Sequence, residues 1–354
     1  MIATIDSDLI QEAIKIALRL SPPITGNLTL EVRDSRLYLT SAAELSRCTV
    51  LLPCTIKGKA LFAVPTDALK DATKGRGEVE LVYDKTMLKV KSGRYSVALT
   101  TLDAIESDEE EKPKGTTWKL SVEQIQWLKE AVSNTALKPT INMTTFMPVS
   151  IKITGKSGFV SCFDSNHMMF QSSKEITGNM DVTLPLETVQ AVLDVFHKLE
   201  CEMTVTPSAL YVSNPLIDVV LALPDTDDDS IGTDLVIGKA RESLKADGKS
   251  VEIDKKQVTA FLDNARSVQT KERSELSVVT EPGSVTLMVK TTNGTARNKL
   301  KAATKAKAEF KIDFEYFEEA AKKSGETVSF KYAESFLIFK CARAHSLIAL
   351  NQES

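Results

Sequence analysis

Apolar residues recur at helical spacing in three widely separated stretches, each just after a short strand-like run. The stripe is Leu9, Ala13, Ile16 and Leu20 in 5–20, Ile125, Leu128 and Val132 in 120–133, and Val258, Phe261, Leu262 and Ala265 in 253–268. Each predicts a helix with one apolar face. Asp6 and Ser7, Ser121 and Asp254 stand at the helix starts, where their side chains can cap exposed N–H groups.

A second strand-turn-helix pattern also occurs three times, at 61–75, 181–196 and 308–325. Pro65, Pro185 and Asp313 occupy matching places, suited to the first turn of a helix. The runs that follow, 79–102, 201–223 and 327–350, are rich in Val, Tyr, Phe and Thr with period-2 alternation, which predicts hairpins.

The spacing defines the kind of repeat. Ile5 to Leu120 is 115 positions and Leu120 to Ile253 is 133; Pro65 to Pro185 is 120 and Pro185 to Asp313 is 128. Solenoid and propeller repeats run about 20 to 50 residues, so this period describes whole domains. The expected fold is α+β, with three repeated domains at 1–114, 115–232 and 233–354, each of two β-α-β-β-β-like halves. The acidic stretches 106–115 and 225–232 read as exposed connectors between them.

Composition supports ordinary cores: 42% of the 354 residues are hydrophobic, 26% are charged and only 15 are glycine. The net charge of -4 excludes a global field that would draw the chain onto a polyanion, so any such contact must be local. No run approaches a membrane helix and the opening MIATIDSDLI resembles no signal, so a cytoplasmic protein without membrane partners is expected. Five cysteines, Cys48, Cys54, Cys162, Cys201 and Cys341, form no C-x-x-C and read as reduced and packed.

Little in the chain suggests catalysis. The three histidines, His167, His197 and His345, lie far apart with no metal-ligand spacing, and neither a P-loop nor a G-x-S-x-G is present. No catalytic residue, metal or cofactor is expected. What recurs is positive charge on helix faces: Lys15 with Arg19, Lys70 with Lys74, then Lys129, Lys198, Arg266, Lys322 and Lys323 on or at the ends of corresponding helices. Any one of these is an ordinary solvated side chain; their repetition points to a surface facing phosphate. The segment 296–311 holds six more cations, Arg297, Lys299, Lys301, Lys305, Lys307 and Lys311, with no aromatic before Phe310. It reads as a loop or edge strand whose charge either touches phosphate or keeps a sheet edge soluble.

Three domains of this design resemble the bacterial-type DNA polymerase sliding clamp, the beta subunit-like processivity factor, in a divergent form, cellular or phage-encoded. The local support is VSCFDSNHMMF (160–170), LTSAAELS (39–46), FAVPTDALKDA (62–72) and IDSDLIQEAIKIA (5–17), which follow one another in the family's order and spacing. The resemblance implies a head-to-tail homo-oligomer, most simply a dimer, with sheets outside and helices lining a ring around duplex DNA. It implies no enzymatic activity and, as partners, double-stranded DNA of any sequence, a DNA polymerase and a clamp-loader ATPase. It also implies a partner-peptide pocket built from Phe163, Ser165, His167, Met168, Leu347 and Ile348, so that deleting the last residues should abolish polymerase stimulation but spare the ring. Here Ser165, Asn166 and His167 replace the family's Gly-His-Arg, and the Met-Pro ending is missing. The alternative is a triplicated scaffold that binds no DNA; an enzyme with a site built of common Ser, Asp and Lys residues stands further behind.

Overall fold

The computed structural model describes residues 1–44, 46–104, 114–137, 147–164, 166–224, 238, 242, 249–270, 274–333 and 335–351. Among these residues one motif, strand, helix and three antiparallel strands, occurs six times. The first copy is β1 (Ile2–Asp6), α1 (Ser7–Leu20), β2 (Asn27–Arg33), β3 (Arg36–Ala42) and β4 (Arg47–Leu52), followed by a short β5 (Thr55–Lys57). The second is β6 (Ala60–Pro65), α2 (Thr66–Thr73), β7 (Glu78–Tyr83), β8 (Met87–Ser92) and β9 (Tyr95–Thr100). The third is β10 (Thr116–Leu120), α3 (Val122–Thr135), β11 (Pro148–Gly155), β12 (Ser157–Phe163) and β13 (His167–Ser173). The fourth is β14 (Gly178–Pro185), α4 (Leu186–Phe196), β15 (Cys201–Val205), β16 (Ala209–Ser213) and β17 (Ile217–Ala222). The fifth is β18 (Lys249–Asp254), α5 (Lys255–Arg266), β19 (Glu275–Glu281), β20 (Ser284–Thr291) and β21 (Gly294–Ala303). The sixth is β22 (Ala308–Asp313), α6 (Phe314–Lys323), β23 (Thr327–Ala333), β24 (Phe336–Lys340) and β25 (His345–Ala349).

Side chains close the helix starts, as expected of Asp6, Ser121 and Asp254; Ser7, the other expected cap, has a buried hydroxyl without a hydrogen-bond partner. Asp6 accepts from the Asp8 N–H at 2.9 Å, Asp254 from Lys256 and Gln257, and Asp313 from Glu315. Ser121 and Gln124 form a reciprocal capping box, with the Ser121 N–H donating to Gln124 Oε1 at 2.7 Å. Replacing Asp254 with alanine leaves two N–H groups without this acceptor and is expected to cost about 1 kcal/mol, read as a lower denaturant midpoint. An unchanged midpoint would contradict that role. Pro65, Pro185 and Asp313 differ from expectation: each is the last strand residue just before its helix, not in the first turn.

In α1 the buried stripe is Ile10, Ala13, Ile14, Ala17 and Leu20, packed on β3 and β4, while Leu9 is 42% exposed. The expected stripe was therefore off by one position at Leu9 and at Ile16, where Ile10 and Ala17 are buried instead, because neighbouring positions both satisfy the spacing and only packing against the sheet chooses between them. In α6, Phe314 and Phe317 are fully buried, and Phe317 meets Phe330 and Phe339 edge-on at centroid distances of 6.5 and 5.4 Å. No helix among the described residues is long and apolar enough to cross a membrane.

The chain divides into two units. The first, 1–129 with 187–225, holds a five-stranded sheet ordered β5-β1-β7-β8-β9 and an eight-stranded sheet ordered β10-β15-β16-β17-β4-β3-β2-β6. The second, 130–186 with 226–354, holds a twelve-stranded sheet ordered β14-β11-β12-β13-β25-β24-β23-β18-β21-β20-β19-β22. Within each unit one antiparallel pairing joins the last strands of two motifs: β17 meets β4 with Val219 opposite Cys48, and β13 meets β25 with Met168 opposite Leu347. The last strands of the other two motifs have open sides. Among the described residues β9 pairs only with β8, and β21, paired along its length with β20, touches β18 only at Ala302 and Ala303.

Because β25 lies inside the sheet between β13 and β24, with Ile348 completely buried, a deletion that reaches Leu347 would not leave the rest of the fold untouched. Removing β25 would strip a ladder from two strands and open the core beneath them.

Candidate functional site

The expected cations all lie on or just past helices. Lys15 and Arg19 are exposed on α1; Lys15 sits 3.7 Å from Glu12. Lys70 is exposed on α2. Lys74 is not on the same helical row: α2 stops at Thr73, and Lys74 closes the helix with its N–H on the Lys70 carbonyl and then turns extended. Gly75 follows with φ +64, a left-handed conformation that ends the helix at no steric cost. Lys198 is exposed in the turn after α4.

Most of the remaining cations meet carboxylates. Asp194 on α4 takes Arg19 from α1 at 3.0 Å and Lys129 from α3 at 3.1 Å, one on each oxygen. Partial burial opposes ionisation there, but hydrogen bonds and charge from Lys129 and Arg19 prevail and hold the Asp194 carboxyl below its ordinary range. In the second unit Glu318 on α6 takes Arg266 from α5 at 2.5 Å and Lys322 at 2.9 Å, and its carboxyl is lowered by the same balance. Lys323 pairs with Glu319 at 3.4 Å and donates to the Ala136 carbonyl. Arg343, which sequence reasoning passed over, pairs with Glu130 on α3 at 2.5 Å and, with Lys323, Ser133 and Asn134, lines an open recess of about 240 Å³. Helix pairs are tied by similar devices: the Gln11 amide donates to the Lys70 carbonyl and Thr73 hydroxyl, and the Lys255 ammonium donates to the Lys322 and Ser324 carbonyls.

The expected peptide pocket falls on β12, β13 and β25, which the register brings together: Phe163 opposite Met168, Met168 opposite Leu347, and His167 opposite Ile348. Ser165 lies outside the described residues. Alternation along the strands splits the set between two faces. Phe163, Met168 and Leu347 share one face with Phe159 and Phe170, where Leu347 is only partly buried against the cluster. His167 and Ile348 point to the other face, where α6 covers them: the imidazole is tilted on the Tyr316 ring at 4.8 Å and bonds Ser346 Oγ at 2.8 Å. One surface cannot present both groups.

The turn between β12 and β13 is built by Asp164. One carboxylate oxygen accepts from the Asn166 and His167 N–H groups, and the other accepts from the Tyr316 hydroxyl at 2.9 Å. His167 Nδ1 has no hydrogen-bond partner and stands 4.0 Å from Glu319. Burial, reinforced by the Lys323 charge, pushes the His167 pKa down to about 3, so the ring is neutral at pH 7. All five cysteines are unpaired; burial raises Cys48, with Asp218 adding to it, and Cys201 to about 12, and Cys162 and Cys341 to about 11, so these four are packed thiols and not nucleophiles. The expected basic stretch 296–311 is β21, a turn and the start of β22; Lys299 pairs with Glu281 and Lys311 with Glu275.

No protein-family model and no curated protein matches the sequence. Solved structures do. The chain is similar to the DNA polymerase III subunit beta from Pseudomonas aeruginosa, with a TM-score of 0.78 and 14% identity over 99% of this chain and 100% of that one. The beta subunit from Thermotoga maritima gives 0.77 at 14% identity, and the DNA polymerase sliding clamp from Caulobacter crescentus 0.77 at 13%, each over 100% of both chains. Identity this low speaks to architecture: from end to end, the chain has the α+β fold of the bacterial DNA polymerase III beta sliding clamps.

Proposed function

We propose that this protein is a DNA sliding clamp, a non-enzymatic processivity factor that closes around duplex DNA and tethers a polymerase to it. The observation that carries this reading is the full-length likeness to sliding clamps. Domains at 1–114, 115–232 and 233–354, two motifs in each, would form half of a ring. The open sides of β9 and β21 suit the closure: a second copy placed head to tail would pair β9 of one chain with β21 of the other, a heterologous contact that terminates when the rotation closes. The basic helix faces, carrying Lys15, Arg19, Lys70, Lys74, Lys129, Lys198, Arg266, Lys322 and Lys323, would then face the phosphates. Such contacts are independent of sequence and screened by salt, which permits sliding. A polymerase and a clamp loader would dock short apolar peptides on the Phe163, Met168 and Leu347 face, with His167 and Ile348 supporting it from behind.

The assembly is tested by mass. The account expects twice the 38.8 kDa of one chain. The Thr101 N–H just after β9 bonds the Thr86 carbonyl just before β8, so by antiparallel alternation the Ala98 N–H points to the open side of β9. Ala98→Pro removes that donor at an edge where proline is tolerated and is expected to leave a folded single-chain particle. A native mass already equal to one chain, or one that Ala98→Pro leaves doubled, would contradict this closure.

A further inference from the structure

We propose that Asp194 and Glu318 are built-in counter-charges that compete with DNA phosphate for the helix-face cations and so keep the grip on the duplex weak. The inference rests on the DNA-binding reading above. Each carboxylate spreads its two oxygens over two cations: Asp194 on Arg19 and Lys129, Glu318 on Arg266 and Lys322. The same arrangement is built separately in the two units, from unrelated sequence neighbourhoods. In the first it draws on α1, α3 and α4, in the second on α5 and α6. The first triad therefore presents one net positive charge where its cations alone would present two; in the second, Asp263 also takes Arg266 at 3.1 Å, so the cluster is neutral and loss of Glu318 would leave it with one net positive charge.

The pairs are also placed where phosphate could displace them. Arg19, Lys129, Arg266 and Lys322 have side chains 40 to 53% exposed, and ion pairs at such positions add little to stability. A phosphate approaching Arg19 or Lys129 would exchange for an internal anion, not only for a mobile counter-ion, which lowers the gain per contact. A face made of such exchanges suits a protein that must stay on DNA without stopping on it. Both carboxylates are held ionised by their partners, so the competition operates throughout the neutral range.

Asp194→Asn and Glu318→Gln, singly and together in the full chain, are to be titrated against a short linear duplex at about 50 to 200 mM salt. The double variant should bind about tenfold tighter than the parent at the low end, with a log–log salt slope steeper by about two, and each single variant about half of that slope change. Asp181→Asn and Glu80→Gln serve as controls: they remove the same charge from strand pairs with Lys152 and Lys91 and should not tighten binding. Equal tightening by the controls would assign the effect to net charge and overturn the inference, as would no tightening by Asp194→Asn or Glu318→Gln. If Asp194→Asn does not fold, Glu318→Gln in the other unit carries the same test. Retention of the parent protein on nicked circular DNA, run in parallel, separates the two failures. If the parent is retained and the carboxylate variants bind as it does, only the counter-charge role falls; if the parent is neither retained nor bound, both fall.

Discussion

Reversing Lys15, Arg19, Lys70 and Lys74 to glutamate together is expected to weaken equilibrium binding to duplex DNA at low salt by about a hundredfold or more, with folding preserved. Four cations per chain become four anions, and each lost phosphate contact flattens the salt slope by about 0.9. Folding should survive because Lys15, Arg19, Lys70 and Lys74 are exposed and none belongs to the apolar stripes of α1 or α2. Arg19 is the one with a strong partner, and Asp194 keeps Lys129 when it is lost. A surface pair of this kind is worth about 1 kcal/mol at most. Unchanged affinity in the folded variant would mean that α1 and α2 do not meet the phosphates.

The second large effect is a loss of stability in mild acid, centred on His167. In the folded protein its pKa lies near 3, against 6.5 ordinarily, because burial penalises the imidazolium and Lys323 repels it. Between those values the unfolded chain binds a proton that the folded chain refuses, so this contribution is intact above pH 6.5 and shrinks as the pH falls. From pH 7 to pH 5 the loss is about 2 kcal/mol. His345 is lowered too, by burial and then by Lys340, and adds in the same direction. Urea midpoints at pH 7 and pH 5 should show the fall, and His167→Gln, whose amide can still reach Ser346, should remove most of it. A variant with the same acid sensitivity as the parent would place the titrating group elsewhere.

The helices and their caps were legible because their signals are local. Asp6, Ser121 and Asp254 were expected at helix starts and all cap, and the offsets between copies revealed that the strand-helix pattern repeats along the chain. The packing choice between Leu9 and Ile10 was not legible, since both lie within one residue of the stripe. The end of α2 could have been read: Gly75 and Gly77, both at positive φ, warn that Lys74 is past the helix. The counter-charges could not. Arg19 and Asp194 are 175 positions apart and meet only because two motifs are joined through β4 and β17. The residues expected to form a pocket, Ser165 apart, fall on adjacent strands but were not sorted by face, because the strand register that separates His167 from Met168 depends on where β25 pairs with β13.

The measurement that bears most directly on the central claim is retention on a nicked circular duplex before and after a single cut. Loaded protein should remain with the intact circle through washes at moderate salt and be lost once the circle is linearised, because a topological link fails at free ends while an adhesive contact does not. Equal retention on the two forms, or none on the circle under loading conditions, would contradict encirclement.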